Sequence, residues 1–335
     1  MSMKKNKKRL TGMILAALMC TGGYCISPAY AGNAIVHEGE TAVNVYNGEI
    51  TETSVWESNP TGPQSGHTAT IEGTVTEDVF GGFSSDGEAS NNTVIIGNVG
   101  GPQVTVGTVK GGQGGTEASN NTITIQGDVA FSGDNVTIYG GVVYAFDAEF
   151  NPIGIANNNI INILSPISIP SFLEGGQSEG GTSSGNTLNL GASGVIVGSG
   201  QWGGGLNSFQ NLNFYLPTNI TTSDTMLTVN GTADVTNAKV GVLAQGTLAN
   251  LVKNDKVTLL SATTLTGGDT ITQATEISVP TSITTVSTYE FNVSTESNNI
   301  VATLTNDGGS GSGSGSESGS GSESGSGSES GSGSE

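Results

Sequence analysis

Glu88-Ala-Ser-Asn-Asn-Thr-Val-Ile-Ile-Gly97 returns 29 residues later as Glu117-Ala-Ser-Asn-Asn-Thr-Ile-Thr-Ile-Gln126. A short apolar/polar alternation behind an Asn corner, repeated at a fixed interval, is the signature of a stacked solenoid. Gly81-Gly82 precedes the first copy and Gly111-Gly112 the second. Looser copies extend the series as His67-Thr-Ala-Thr-Ile71, Ala156-Asn-Asn-Asn-Ile-Ile-Asn-Ile163 and Ser184-Gly-Asn-Thr-Leu-Asn-Leu190. In Thr122-Ile-Thr-Ile125 the period of two puts Ile123 and Ile125 in the core and the threonines outside. The Asn pairs fall where the chain must turn; Asn tolerates the left-handed conformation, and stacked Asn amides form hydrogen-bonded ladders. His67 occupies the slot that Asn121 fills in the repeat.

Composition agrees. Gly supplies 53 of 335 residues and aromatics 5%, and the apolar residues are mostly Val and Ile beside Thr, the β-branched set that suits a pleated surface. No segment after residue 31 keeps helical apolar spacing over three turns. The chain reads as all-β. At roughly 25 residues per coil, the ~275 residues before the tail predict about eleven coils and a rod of about 50 Å.

Residues 1–31 read as an export signal. Lys4, Lys5, Lys7, Lys8 and Arg9 make a positive start, Met13 to Met19 an apolar centre, and Ala29-Tyr30-Ala31 a small-x-small cleavage site that leaves Gly32 first. Met19 and Tyr24 before Cys20 and Cys25 argue against a lipoprotein. Both cysteines and the lone Arg leave with this segment. Four lysines (Lys110, Lys239, Lys253, Lys256) then face 29 acids, a formal charge of −25. Such a surface disfavours nucleic acid and anionic lipid, which need cationic side chains to replace counterions.

Four sections follow the signal. Residues 32–60, with Val43-Asn-Val-Tyr46 and Val55-Trp56, read as a capping end; together with the coils up to 205 they form the repeat unit, 32–205. The longest insertion is placed at Val142 to Ile155. Residues 206–306 are less Gly-rich and end in a hairpin of Tyr289–Val293 with Asn299–Leu304. Residues 307–335, Gly/Ser with Glu317, Glu323, Glu329 and Glu335, read as a disordered, self-repelling linker.

Phe209-Gln-Asn-Leu-Asn-Phe-Tyr-Leu-Pro217, Thr225-Met-Leu-Thr-Val-Asn-Gly-Thr-Ala-Asp-Val235, Val240-Gly-Val242 and Lys253-Asn-Asp-Lys-Val-Thr-Leu-Leu260 follow one another in order. This order resembles the C-terminal passenger region of autotransporter (type V secreted) proteins of diderm bacteria, and the Gly-Gly…Ala-Ser-Asn-Asn-Thr repeat resembles their passenger coils. The resemblance covers about residues 60–306. It implies a right-handed parallel β-helix, passage through the Sec machinery, and display at the cell surface through a C-terminal outer-membrane β-barrel. It also implies an autochaperone-like role for 206–306. Strands of barrel type do not follow Asp307, so the reading expects a chain without its barrel, either a fragment or a passenger released by another route.

Lys253-Asn-Asp255-Lys256 is the one tight Lys/Asp cluster in the sequence and reads as a solvated turn rather than a lyase base. Asp86 or Glu88 with Glu117 offers a hydrolase-like carboxylate pair, but such acids usually keep an edge soluble. Gly-Asp-Ser-Gly is absent and only His37 and His67 are present. Gly111-Gly-Gln-Gly-Gly-Thr116 lacks the Asp of the toxin calcium repeat. No catalytic residue, cofactor or metal is assigned. Trp202, Tyr144 and Phe146 are the sole aromatic candidates for a glycan platform. The leading expectation is a non-enzymatic adhesin or self-associating rod whose partner is a host or bacterial surface ligand, protein or glycan, or the chain itself. A polysaccharide lyase or hydrolase on the same fold, and a ligand-free spacer, are the alternatives.

Overall fold

The computed structural model describes residues 65–306, apart from 76–77, 146–152, 179–180, 201–203, 284–285 and 288, together with the strands Val43–Tyr46 and Glu49–Ile50. The described residues contain strands and no helix, and the strands stack into a parallel β-solenoid. One long sheet has nine parallel strands, from Val43–Tyr46 through Thr68–Ile71, Thr93–Ile96, Thr122–Ile125, Ile160–Ile163, Thr187–Leu190, Asn211–Leu216 and Lys239–Ala244 to Thr272–Gln273, beside a sheet of eleven. The expected capping strand at Val43 is therefore itself the first rung, paired parallel with Thr68–Ile71. Among the described residues nine rungs stand where eleven coils were expected, because the interval ranges from 24 residues (Thr187 to Asn211) to 38 (Thr122 to Ile160). At about 4.8 Å per step the stack is about 40 Å long.

Inside each rung the alternation holds. Thr122–Ile125 buries Ile123 and Ile125 completely, and the same columns carry Ala69/Ile71, Val94/Ile96, Ile161/Ile163, Leu188/Leu190 and Leu212/Phe214. Each large aliphatic removed from water contributes about 1.5–3 kcal/mol. The column is one continuous core along the solenoid axis.

Every residue of the Ala-Ser-Asn-Asn-Thr motif has a structural role. The first Asn of each pair is left-handed, with φ of 59° at Asn91, 57° at Asn120 and 56° at Asn158; Gly66 (80°) and Gly185 (69°) fill the same slot. The second Asn is buried, and its N–H donates to the side-chain oxygen one coil further on: His67 to Asn92, Asn92 to Asn121 and Asn121 to Asn159, each 3.0 Å, then Asn159 to Asn186 at 2.8 Å and Asn186 to Gln210 at 2.9 Å. His67 thus sits in the Asn121 column, as its spacing predicts. The Ser column runs the opposite way, with Ser119 N–H donating back to Ser90 Oγ and Asn157 N–H back to Ser119 Oγ, both 3.1 Å. Thr opens the next strand.

The Gly-Gly pairs sit across the coil from these amides. A Cβ on Gly111 would overlap the Gly140 carbonyl oxygen of the next coil and come within 2.8 Å of Asn121 Cβ. One on Gly112 would overlap the Ala89 carbonyl oxygen and reach Asn121 Nδ2 at 2.8 Å. Gly140-Gly141 and Gly175-Gly176 meet Asn159 and Asn186 in the same way. The coil is pinched to a waist here. The main core lies on one side, and a small lobe of Ala118, Val143, Ala145 and Ala156 lies on the other.

The insertion is narrower than Val142 to Ile155. Val142–Val143 is a strand paired with Gln113–Gly114 and Gln177–Ser178, and Ile155 bridges Glu117 and Thr182. Both ends belong to the stack, so the extra length lies between them. From Gly205 the small lobe is gone: Phe209 is buried against the Gly175 corner, and the chain passes straight to Asn211–Leu216. The predicted hairpin forms from Glu290–Glu296 and Asn299–Asn306, and it also pairs antiparallel with Lys256–Thr266, covering the end of the stack. Residues 274–283 cross the outer face of the long sheet, where Tyr215 donates its hydroxyl to Ser278 O at 2.5 Å. Residues 1–31 and 307–335, with Ala29, Ala31 and Gly32, lie outside the described residues.

Replacing Ile123 and Ile125 together by Asp strands two charges in this core at a cost of several kcal/mol, and the β signal in far-UV circular dichroism should be lost at temperatures where the parent is folded. A single added methyl should also separate the two kinds of glycine. Gly112→Ala is expected to lower Tm more than Gly100→Ala, whose Cβ meets nothing within 4 Å and whose penalty is that of its left-handed φ of 75° alone.

Candidate binding groove

Both glycines of each pair turn inward, so the residues that flank them turn outward and converge. The sequence frame is Phe80-Gly-Gly-Phe83, Lys110-Gly-Gly-Gln113, Tyr139-Gly-Gly-Val142 and Glu174-Gly-Gly-Gln177. Strand register stacks Phe80, Lys110, Tyr139, Glu174 and Asn207 in one column. Phe83, Gln113, Val142 and Gln177 form the facing column. Contacts cross between them: the Phe80 and Phe83 rings meet edge to face at 5.7 Å, and Lys110 Nζ donates to Gln113 Oε1 at 3.0 Å. The outside of the waist is therefore a longitudinal groove, four coils long and about 15 Å from Phe80 to Glu174, that its own side chains fill, with Phe80 and Val142 buried in it.

One end of the groove is charged. Lys110 Nζ lies 2.9 Å from Asp78 Oδ2 and 4.7 Å above the Phe80 ring. Asp78 also lines a cavity of about 300 Å³ shared with Thr108, Ser132, Asp134 and Asn135. Sequence reading found its Lys/Asp cluster at 253–256 and missed this pair, because 32 residues separate Asp78 from Lys110. Its signal was the residue before each Gly-Gly, taken column by column.

Further along, burial pushes the Tyr139 phenol up, with smaller contributions from Glu174, Tyr144 and Asp78. Glu174 is pushed up to about 7 by burial, against a Ser208 hydroxyl donated to its Oε1 at 3.4 Å. In the next coil Asn207 Oδ1 is buried with no hydrogen-bond partner. A protonated Glu174 supplies the kind of donor this oxygen lacks, and the ionised form does not.

Other candidates resolve plainly. Lys253 to Lys256 is a solvated turn in which Asp255 Oδ2 accepts the Val252 N–H at 2.8 Å, and Lys256 pairs with Glu296 at 2.6 Å on the surface. Glu88 and Glu117 do bridge successive coils, but Ile155 and Thr182 continue their column. Asp86 lies against Gly115. Gly111 and Gly112 belong to the waist. No group of three His, Cys, Asp or Glu suited to a metal occurs among the described residues. Tyr144 is 51% exposed and donates to Gln177 Oε1 at 3.2 Å, beside the groove. His37, Phe146 and Trp202 lie outside the described residues. No family model, curated protein or solved structure matches the chain.

Glu174 gives a signed pH dependence. Its folded pKa of about 7 exceeds the ordinary 4.5, so the folded state binds the proton more tightly. Stability is then greatest below about 4.5 and falls as pH rises to 7, by on the order of a few kcal/mol. Melting curves from pH 4.5 to 8 should show this decline. Glu174→Gln, which keeps an N–H donor at every pH, should flatten it and raise Tm at pH 8.

Proposed function

We propose that this chain is an exported, surface-displayed passenger of autotransporter type that acts without catalysis, as an adhesin or self-associating rod. The observation that carries the reading is the in-register lateral surface. A parallel solenoid repeats each outward position once per coil, as in the Thr122, Ile160, Thr187 and Asn211 column and in the two columns of the groove. Such a surface suits many modest contacts whose strengths multiply when they are held together. The export-like start of the chain and the order of motifs in 209–260 support the passenger assignment. Residues 206–306 fit the autochaperone-like role, since their hairpin pairs with the terminal strands of a stack that would otherwise present an open edge.

A second reading is favoured by one observation: Glu174, with its raised pKa, stands beside Tyr139 in a groove, an arrangement suited to a general acid. This is the glycan-processing alternative.

The full chain should be expressed in a diderm host, with the export product identified by N-terminal sequencing. The expected product begins at Gly32 and promotes cell aggregation or attachment. Removing 146–152 should weaken attachment partially; complete loss would replace the distributed surface with a single loop. Reducing ends and unsaturated uronates should be monitored with each glycan, and sustained release would transfer the assignment to an enzyme.

A further inference from the structure

We propose that the Gln273 side chain is an edge guard: its amide takes hydrogen-bonding positions of the terminal strand Glu290–Glu296 and so keeps that edge from pairing with the same edge of a second copy of this chain. The inference goes beyond the rod reading and does not rest on it.

The C-terminal hairpin closes the stack but creates an edge of its own. Glu290–Glu296 is the end strand of the eleven-stranded sheet, paired on one side with Asn299–Asn306. A row of backbone groups on the other side of such a strand is a template for another chain. Gln273 Nε2 donates to Phe291 O at 2.7 Å, and Gln273 Oε1 accepts the Val293 N–H at 3.1 Å. A residue of an added parallel strand would bond the two groups that flank Asn292 in the same way. The guard is fixed from behind, because Thr272–Gln273 is itself the last rung of the nine-stranded sheet, paired with Lys239 and Val240. Thr295 Oγ1 donates to Gly268 O at 2.6 Å, which holds the chain before Gln273 against the far end of the same strand. Gln273 is exposed, so burial does not account for its position.

The excluded partner follows from the strand's own sequence. Two copies of Glu290-Phe-Asn-Val-Ser-Thr-Glu296 can pair antiparallel about a twofold axis at Val293, an isologous contact. The outward groups then match, Val293 with its own equivalent and Phe291 with the equivalent of Thr295. Both atoms that Gln273 occupies, Phe291 O and the Val293 N–H, are needed for those bonds. The same register sets Glu290 against the equivalent of Glu296, a like-charge pair at each end that opposes the contact. Lys256, 2.6 Å from Glu296, offsets part of this repulsion. The edge is held off twice, by an amide that fills its bonds and by carboxylates that repel a copy.

Sedimentation velocity of the full chain over a range of concentrations tests this, with the parent's own association state as the baseline. Gln273→Ala should dimerise roughly tenfold or more tightly than the parent while keeping its circular dichroism. If the alanine variant unfolds, Gln273→Met, which keeps the length of the side chain without the amide, serves in its place. Raising salt should tighten this dimer by screening the Glu290–Glu296 repulsion. Adding Glu290→Lys makes both end pairs attractive, so the dimer should tighten further at low salt and loosen as salt rises. Adding Val293→Pro instead should return the protein to the parent's state, because proline removes an N–H that the dimer uses twice and its ring is tolerated on a free edge. The inference is overturned if folded Gln273 variants associate no more than the parent, if their dimer survives Val293→Pro, or if salt and Glu290→Lys do not act with these signs. It is equally overturned if open-ended aggregates replace the dimer, or if neither Gln273 variant keeps the parent fold, which would make the amide a structural prop. Lateral association is judged apart: a monomeric parent removes self-association from the rod reading and leaves the guard standing.

Discussion

The structure depends on two stretches of backbone passing each other at the waist with no side chain between them. On one side run the Gly-Gly pairs, on the other the Ala carbonyls and the buried Asn amides. Any Cβ on Gly111 or Gly112 would occupy space already held by a carbonyl oxygen. The glycines are therefore required by space rather than by φ, since these corners are not left-handed. Pinching the coil divides its interior into a large aliphatic lobe and a small Ala/Val lobe, and it bends the outer surface inward to make the groove.

So close an approach would strand polar groups unless each found a partner, because an unpaired buried amide costs about as much as a lost hydrogen bond. The Asn ladder answers this. Asn121 accepts the Asn92 N–H at its Oδ1, while its Nδ2 donates to Ala89 O and Asn159 Oδ1 at 3.1 Å each. The Ser ladder beside it runs in the opposite sense. Coils thus lock to both neighbours through side chains as well as through the strands. A second amide row, Asn162, Asn189 and Asn213, begins on Thr124 and continues on the outer face of the long sheet, with links of 2.8–3.1 Å. Further along that sheet, burial holds the Tyr215 hydroxyl protonated as the crossing segment covers it.

Much of this was legible. The repeat phase put Ile123 and Ile125 inside, put Asn91 and Asn120 at left-handed corners, and put His67 in line with Asn121, because these outcomes depend on local geometry and on a fixed period. The hairpin near the C-terminus was legible for the same reason. The coil count was not, since corners of unequal length change the interval without disturbing the strands. The limits of the insertion were misplaced because Val142 and Ile155 look like loop residues until their neighbours in adjacent coils are known. The groove went unread although its frame, one residue on each side of every Gly-Gly, stands openly in the chain.

The chain's own sequence determined the class of fold, the inward and outward faces of each rung and the corner chemistry, all of which follow from side-chain period and the conformational tolerance of Asn and Gly. Tertiary structure decided which distant residues outside the repeated motif share a column. Asp78 meets Lys110, and Glu174 lies next to Asn207, only because stacking converts a separation of about 30 residues into one step of about 4.8 Å. That conversion depends on the summed lengths of loops whose sequences carry no period, so the groove's chemistry is settled by the completed stack.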